Sequence, residues 1–177
     1  MKVLLLNGSP HEAGCTFTAL SEIAGVLEKN GIETEIVNFG TGAVRDCVGC
    51  GGCRTSGNRC VFTDDSINSI IEKAEEADAF IFGTPVYYAH PSGRILSALD
   101  RIFYAGSSAF QHKPAAAIAS ARRAGTTASI DVLNKYFTIS QMPVVSSTYW
   151  NMVHGACPED VKKDLEGLQT MRNIGET

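Results

Sequence analysis

The chain repeats one alternation: a short run with few charges and much apolar character, then a segment with helical spacing. Val3-Leu4-Leu5-Leu6 opens it, and Phe17, Leu20, Ala24 and Leu27 follow at three- and four-residue intervals, with Ile23 flanking the same face. Residues 32–39, 79–83, 114–120 and 144–146 read as the later strands. Helical faces between and after them carry Ile67, Ile70, Ile71 and Ala74; Ile95, Leu96, Leu99, Ile102 and Phe103; Ile130, Leu133 and Phe137; and Val161, Leu165 and Leu168. Strands apolar on both faces need helices on both sides, so the pattern predicts an α/β fold with a doubly wound, five-stranded parallel sheet. The strand order 2-1-3-4-5 suits it, with a ligand beyond the carboxyl ends of the strands. Thr84-Pro85 is expected to halt the third strand, and Pro158 to open the last helix.

Residues 1–177 fit one domain, with residues 40–62 as a Gly- and Cys-rich connection longer than an ordinary loop. A composition 44% hydrophobic and 19% charged reads as globular. The net charge of -4 shows no basic footprint for nucleic acid, and no apolar run approaches a membrane span. Lys2-Val3-Leu4-Leu5-Leu6 is too short for a signal core, so a cytoplasmic location is expected. In that reducing compartment six cysteines point to metal or redox work rather than a disulfide framework.

The first loop, Asn7-Gly8-Ser9-Pro10, leads to a helix that starts between Gly14 and Thr18. Amides at a helix N-terminus lack intrahelical partners and carry partial positive charge, so they suit an anion. Ser9, Thr16 and Thr18 add hydroxyls at the same point. Neither Gly-x-Gly-x-x-Gly nor Gly-x4-Gly-Lys-Ser/Thr is present, which argues against a Rossmann dinucleotide site and a P-loop. A terminal monophosphate is the better fit; a plain strand–turn–helix is the alternative.

Leu6-Asn7-Gly8-Ser9-Pro10, followed by Gly14-Cys15-Thr16, resembles the phosphate loop of the NADPH-dependent FMN reductase family, a branch of the flavodoxin-like superfamily. The family pattern usually has Arg where this chain has His11, and Asn or Ser where it has Cys15. The resemblance implies FMN held at Ser9, His11, Thr16, Phe17 and Thr18. It also implies a second flavin loop at Pro85, Val86, Tyr87 and Tyr88, where Tyr88 or Tyr87 supplies an apolar plate with a polar tip. A third loop would comprise Ser120, Arg122, Arg123 and Gly125, with one of the two arginines stabilising negative charge on reduced flavin. Tyr88, Trp150, Asn151 and His154 would line the substrate pocket, though Trp150 equally suits a subunit contact.

Cys47-Val48-Gly49-Cys50-Gly51-Gly52-Cys53 and then Cys60 form C-x2-C-x2-C-x6-C. The first three spacings match a bacterial [4Fe–4S] run, and thiolates are soft donors suited to iron–sulfur or zinc. Zinc sites usually separate two C-x2-C halves more widely, and plain redox thiols are a third option. The spacing also resembles the compact motif of iron–sulfur flavoproteins in the same superfamily. Following the second strand, the loop is expected near the flavin edge or facing the flavin of a partner copy.

The resemblance therefore implies an FMN-dependent oxidoreductase using NAD(P)H to reduce a quinone, a nitro or azo compound, or free flavin. An iron–sulfur flavoprotein carrying electrons between protein partners is the alternative, and a non-catalytic redox sensor a third. A homo-oligomer, dimer or tetramer, is implied as well.

Overall fold

In the computed structural model, which describes residues 1–177, strands alternate with helices, except that a sixth short strand follows the third directly. The strands are β1 (Lys2–Asn7), β2 (Glu33–Asn38), β3 (Ala79–Tyr87), β4 (His90–Pro91), β5 (Ala115–Ala121) and β6 (Met152–His154). The α-helices are α1 (Cys15–Lys29), α2 (Ile67–Glu76), α3 (Gly93–Gly106), α4 (Thr126–Ile139), α5 (Pro158–Val161) and α6 (Leu165–Glu176). Five strands form a parallel sheet in the order β2-β1-β3-β5-β6, which is the expected 2-1-3-4-5 path. The sixth, β4, is an antiparallel appendage of β3.

Alternate residues of each strand feed opposite faces, because side chains in a strand have a period of two. Leu4, Leu6, Phe80 and Phe82 pack beneath α2, α3 and α4. Val3, Leu5, Ile81 and Ile118 meet α1 and α6 on the other side. The alanines of β5 leave room that phenylalanines fill: Phe82 lies 4.8 Å from Phe137 and Phe80 lies 4.6 Å from Phe110, ring centre to ring centre. Deleting one such ring would cost about 3–5 kcal/mol.

Three local expectations need correction. Pro85 does not end β3: Thr84 and Pro85 pair with Ala119 and Ser120, and the chain then turns at Tyr88-Ala89 to form a hairpin with β4. A proline forfeits only its own donor, so a strand end tolerates it. The fifth strand is Met152–His154, not residues 144–146. Val144 makes one bridge to Ala115, residues 146–150 loop out, and pairing resumes with Met152 opposite Ala119. The final helix is two helices, because Asp164 caps α6 anew by accepting a hydrogen bond from Gly167 N at 3.0 Å. The restart changes the helical phase, so Leu165 is exposed while Val161, Leu168, Met171 and Ile174 are buried.

Candidate functional site

The loop after β1 is held by its own polar groups and by neighbouring elements. Gly8 N donates to Gly83 O at 2.8 Å, Ser9 N to Asn7 Oδ1 at 3.1 Å, and His11 N to Ser9 Oγ at 3.1 Å. Gly14 caps α1 with no side chain, and the amides of Cys15, Thr16 and Phe17 have no acceptor within the protein. Thr16 is buried, and its Oγ1 lies 2.8 Å from Ser120 Oγ, also buried. The Thr18 hydroxyl donates back to Gly14 O at 3.0 Å, so toward a ligand it is an acceptor. His11 is exposed, and beside it Pro10, Ala13, Gly14, Cys15 and Cys157 line an open groove of about 570 Å³. Burial and the neighbouring Cys157 push the Cys15 thiol up, which keeps it protonated at neutral pH. Unpartnered amides with buried hydroxyls fit a phosphate monoester in this position.

The second and third loops abut. Gly125 has φ +94°, and a Cβ there would lie 2.4 Å from Ala89 Cα and 2.9 Å from Val86 Cγ1. Only glycine permits that approach. Tyr88 and Ala89 take φ values of 51° and 60°, a left-handed pair usually reserved for Asn-Gly, and Tyr88 is fully exposed at the tip. Tyr87 is half exposed and Pro85 and Val86 are partly covered. Arg122 and Arg123 are both exposed and make no ion pair.

The looped-out segment before β6 presents Tyr149 and Trp150, edge to face at 5.0 Å and each more than half exposed. Asn151 is buried, and its carbonyl accepts from Ala119 N at 3.0 Å. His154 N donates to Asp164 Oδ2 at 2.7 Å, with Nδ1 3.8 Å from the same oxygen. Asp164 thus ties the strand end to the start of α6.

The cysteine loop runs along α3. Arg94 donates to Gly42 O at 2.6 Å, Ser97 to Asp46, Arg101 to Arg45 O at 3.4 Å, and Cys53 Sγ to Tyr104 O at 3.5 Å. These four α3 positions recur every three or four residues, so they form one face of the helix. At 1.5 Å per residue, Arg101 lies about 14 Å along α3 from Ser92, its N-cap. The cysteines therefore sit down the α3 flank, away from the carboxyl edge where β3 and α3 meet. Cys47, Cys50, Cys53 and Cys60 all line one pocket of about 110 Å³.

Gly49 and Gly51 flank Cys50 with φ values of 65° and 69°, a backbone form that turns amides inward and makes anion-binding nests. No three His, Cys, Asp or Glu side chains converge on a single-ion position. Four soft donors, nest-forming glycines and a pocket lined by Arg54 and Arg101 fit an anionic thiolate cluster.

Arg101 is the residue that sequence reasoning missed. Its side chain is 1% exposed; Nε donates to Cys60 Sγ at 3.3 Å, Nη2 to Phe62 O at 3.3 Å and to Asp65 Oδ1 at 3.2 Å, and Nη1 to Asp65 Oδ2. Burial opposes its charge, but the bonds to Asp65 and Cys60 outweigh that and hold the guanidinium protonated.

The model of the NADPH-dependent FMN reductase family matches residues 1–156. The chain belongs to that family. An iron–sulfur flavoprotein of Methanocaldococcus jannaschii is 32% identical over 184 residues, covering 99% of this chain and 94% of that protein. Among solved structures, RosB with bound 8-demethyl-8-formylriboflavin-5'-phosphate superposes with TM-score 0.76 at 16% identity, over 100% of this chain and 77% of RosB. A flavodoxin from the domain Archaea superposes with TM-score 0.63 at 15% identity, over 99% and 97% of the two chains. The flavodoxin-like fold follows from both superpositions, and membership of an FMN-binding oxidoreductase family from the sequence match. No helix is long and apolar enough to cross a membrane.

Proposed function

We propose that the protein is an FMN- and [4Fe–4S]-dependent electron-transfer flavoprotein, exchanging electrons with a redox protein. The observation that carries this reading is the single pocket shared by Cys47, Cys50, Cys53 and Cys60, with nest glycines between them and Arg101 on Cys60. The name of the Methanocaldococcus jannaschii relative agrees with it.

In this reading Ser9, Thr16 and the amides of Cys15 to Phe17 hold the FMN phosphate, with the Thr18 hydroxyl bracing the turn through Gly14 O and exposed His11 at the rim. The bound flavin-5'-phosphate analogue named for RosB is of the same chemical class. Pro85, Val86 and Tyr87 and the Ser120–Gly125 loop border the ring, with Arg122 or Arg123 beside its pyrimidine side. Tyr88, Trp150 and His154 face the incoming reactant, and buried Asn151 holds that wall by its backbone. FMN supplies two-electron and the cluster one-electron chemistry; the chain supplies position and electrostatics. Exposed Cys50 and Val48 leave the cysteine loop accessible to a protein partner or a second copy of the chain.

A second reading, NAD(P)H-dependent reduction of a quinone, nitro or azo compound or free flavin, is favoured by the exposed aromatic pair Tyr149–Trp150 at the ligand edge. One experiment separates the two. Anaerobically purified protein is assayed for iron, sulfide and acid-released flavin, then mixed with reduced ferredoxin or NAD(P)H. The electron-transfer reading expects iron and sulfide alongside FMN, fast reduction by ferredoxin and negligible NAD(P)H oxidation. Rapid NAD(P)H oxidation by metal-free protein would establish the second.

A further inference from the structure

We propose that Arg101 is a positioning residue of the cysteine site, which fixes Cys60 as a ligand and raises the reduction potential of the cluster held there. The inference rests on the [4Fe–4S] reading above. Arg101 is the largest fully buried side chain of the protein, an unusual place for a guanidinium. Its fork is divided: Nη1 and Nη2 are each clamped by one oxygen of Asp65, while Nε remains for Cys60 Sγ. Bidentate carboxylate pairing fixes the plane of a guanidinium, so Asp65 sets the direction from which Nε–H meets the sulfur. Phe62, whose ring centre lies 5.7 Å from the Arg101 guanidinium carbon, helps to cover the site.

The electronic consequence follows from charge. Reduction adds one electron to an already anionic thiolate cluster, with no bond made or broken. An N–H donated to a ligand sulfur withdraws negative charge from it and favours the reduced form, and hydrogen bonds to the sulfurs are among the factors that set these potentials. The effect is strong here because a buried cation is poorly screened. Asp65 acts in the opposite sense, since its carboxylate offsets part of the Arg101 charge. Arg101 and Asp65 thus form a charge pair whose members push the potential in opposite directions.

The test uses the full chain loaded with FMN, iron and sulfide under anaerobic conditions, and titrates it with dithionite. Paramagnetic resonance follows the cluster and absorbance follows FMN, whose midpoint serves as an internal reference. R101Q is expected to lower the cluster midpoint by at least tenfold in the one-electron equilibrium, about 59 mV. D65N is expected to raise it, and the FMN midpoint should stay in place in both. R101K keeps the charge without the fork and should fall between R101Q and wild type. It carries the test if R101Q does not fold. A role confined to packing would reduce cluster content in both variants without opposite shifts. Fully loaded R101Q or R101K with the wild-type midpoint, or R101Q and D65N moving the same way, overturns the proposal. Wild-type protein that takes up FMN but neither iron nor sulfide overturns the cluster reading itself, and Arg101's role with it.

Discussion

Thr16 Oγ1 and Ser120 Oγ lie 2.8 Å apart, although the two residues are over a hundred positions apart in sequence. The contact joins the start of α1 to the end of β5, and so makes the first and third loops one surface. It follows from the strand order, in which β3 alone separates β1 from β5. Gly83 of β3, between them, carries no side chain; a Cβ there would lie 2.8 Å from Thr16 Cγ2.

If the Thr16 hydroxyl serves the phosphate and Ser120 orients it, T16A and S120A should each weaken FMN binding by about 1 kcal/mol, roughly fivefold in Kd. The double variant should lose less than the sum, because the two hydroxyls share a hydrogen bond. Fluorescence titration of flavin-free protein reads both quantities. Unchanged affinity in all three variants would place the phosphate elsewhere.

The hairpin tip offers a stability test. Ala89 sits at φ 60°, where an L side chain is strained by about 1–2 kcal/mol. Ala89→Gly should release that strain and lose part of the gain to the greater freedom of glycine in the unfolded chain. A net stabilisation of about 1 kcal/mol, or roughly 3 °C in Tm, is expected from thermal unfolding. A fall in Tm would show that the hairpin, and the approach of Gly125 to it, is not strained in solution.

A third prediction concerns acid. Glu35 accepts a hydrogen bond from Lys73, and Lys2 Nζ lies 3.0 Å from its other oxygen. The Lys73 bond, more than that of Lys2, holds the Glu35 carboxyl below the usual carboxylate range despite some burial. A depressed folded-state pKa means that the stabilisation is present above the unfolded value of 4.5 and is lost as pH falls through the folded value. Partial exposure limits it to about 0.5–1 kcal/mol. E35Q should therefore lower the urea midpoint at pH 7 and lose that deficit as the pH is taken below 4.5. An equal deficit at every pH would assign the effect to packing.

Leu4, Leu6 and Phe82 made the sheet legible from sequence, because strands buried on both faces leave a continuous apolar signal. Gly14, Cys15 and Thr16 made the turn into α1 legible for a similarly local reason. The fifth strand was misplaced because Val144 and Val145 have strand-like side chains, whereas Met152–His154 is a strand only through its pairing with β5. Pro85 misled in the opposite sense, since the hairpin beyond it depends on His90 and Pro91 returning to pair. Arg101 was illegible because helical spacing puts it with Arg94 and Ser97 on what reads as a solvated face of α3. Its burial comes from residues 45–62 folding over that face, a tertiary fact with no local pattern.

The last prediction separates the two halves of the proposed site. The cysteine pocket lies along the flank of α3, while Ser9, Thr16 and Ser120 lie at the carboxyl edge, so each should tolerate loss of the other. Cys50 is the most exposed of the four motif cysteines, and Cys50→Ser removes a soft donor with little change of volume. The variant should lose iron, sulfide and the broad visible absorbance of a cluster, while acid-released FMN stays at the wild-type ratio. T16A should do the reverse: flavin affinity falls and iron content is unchanged. Thermal unfolding of both variants checks that neither result is general destabilisation. A Cys50→Ser protein that folds normally yet cannot hold FMN would show that the cysteine loop builds the flavin site, against the geometry along α3. Loss of zinc without loss of colour in the same variant would assign the four thiolates to a structural metal instead.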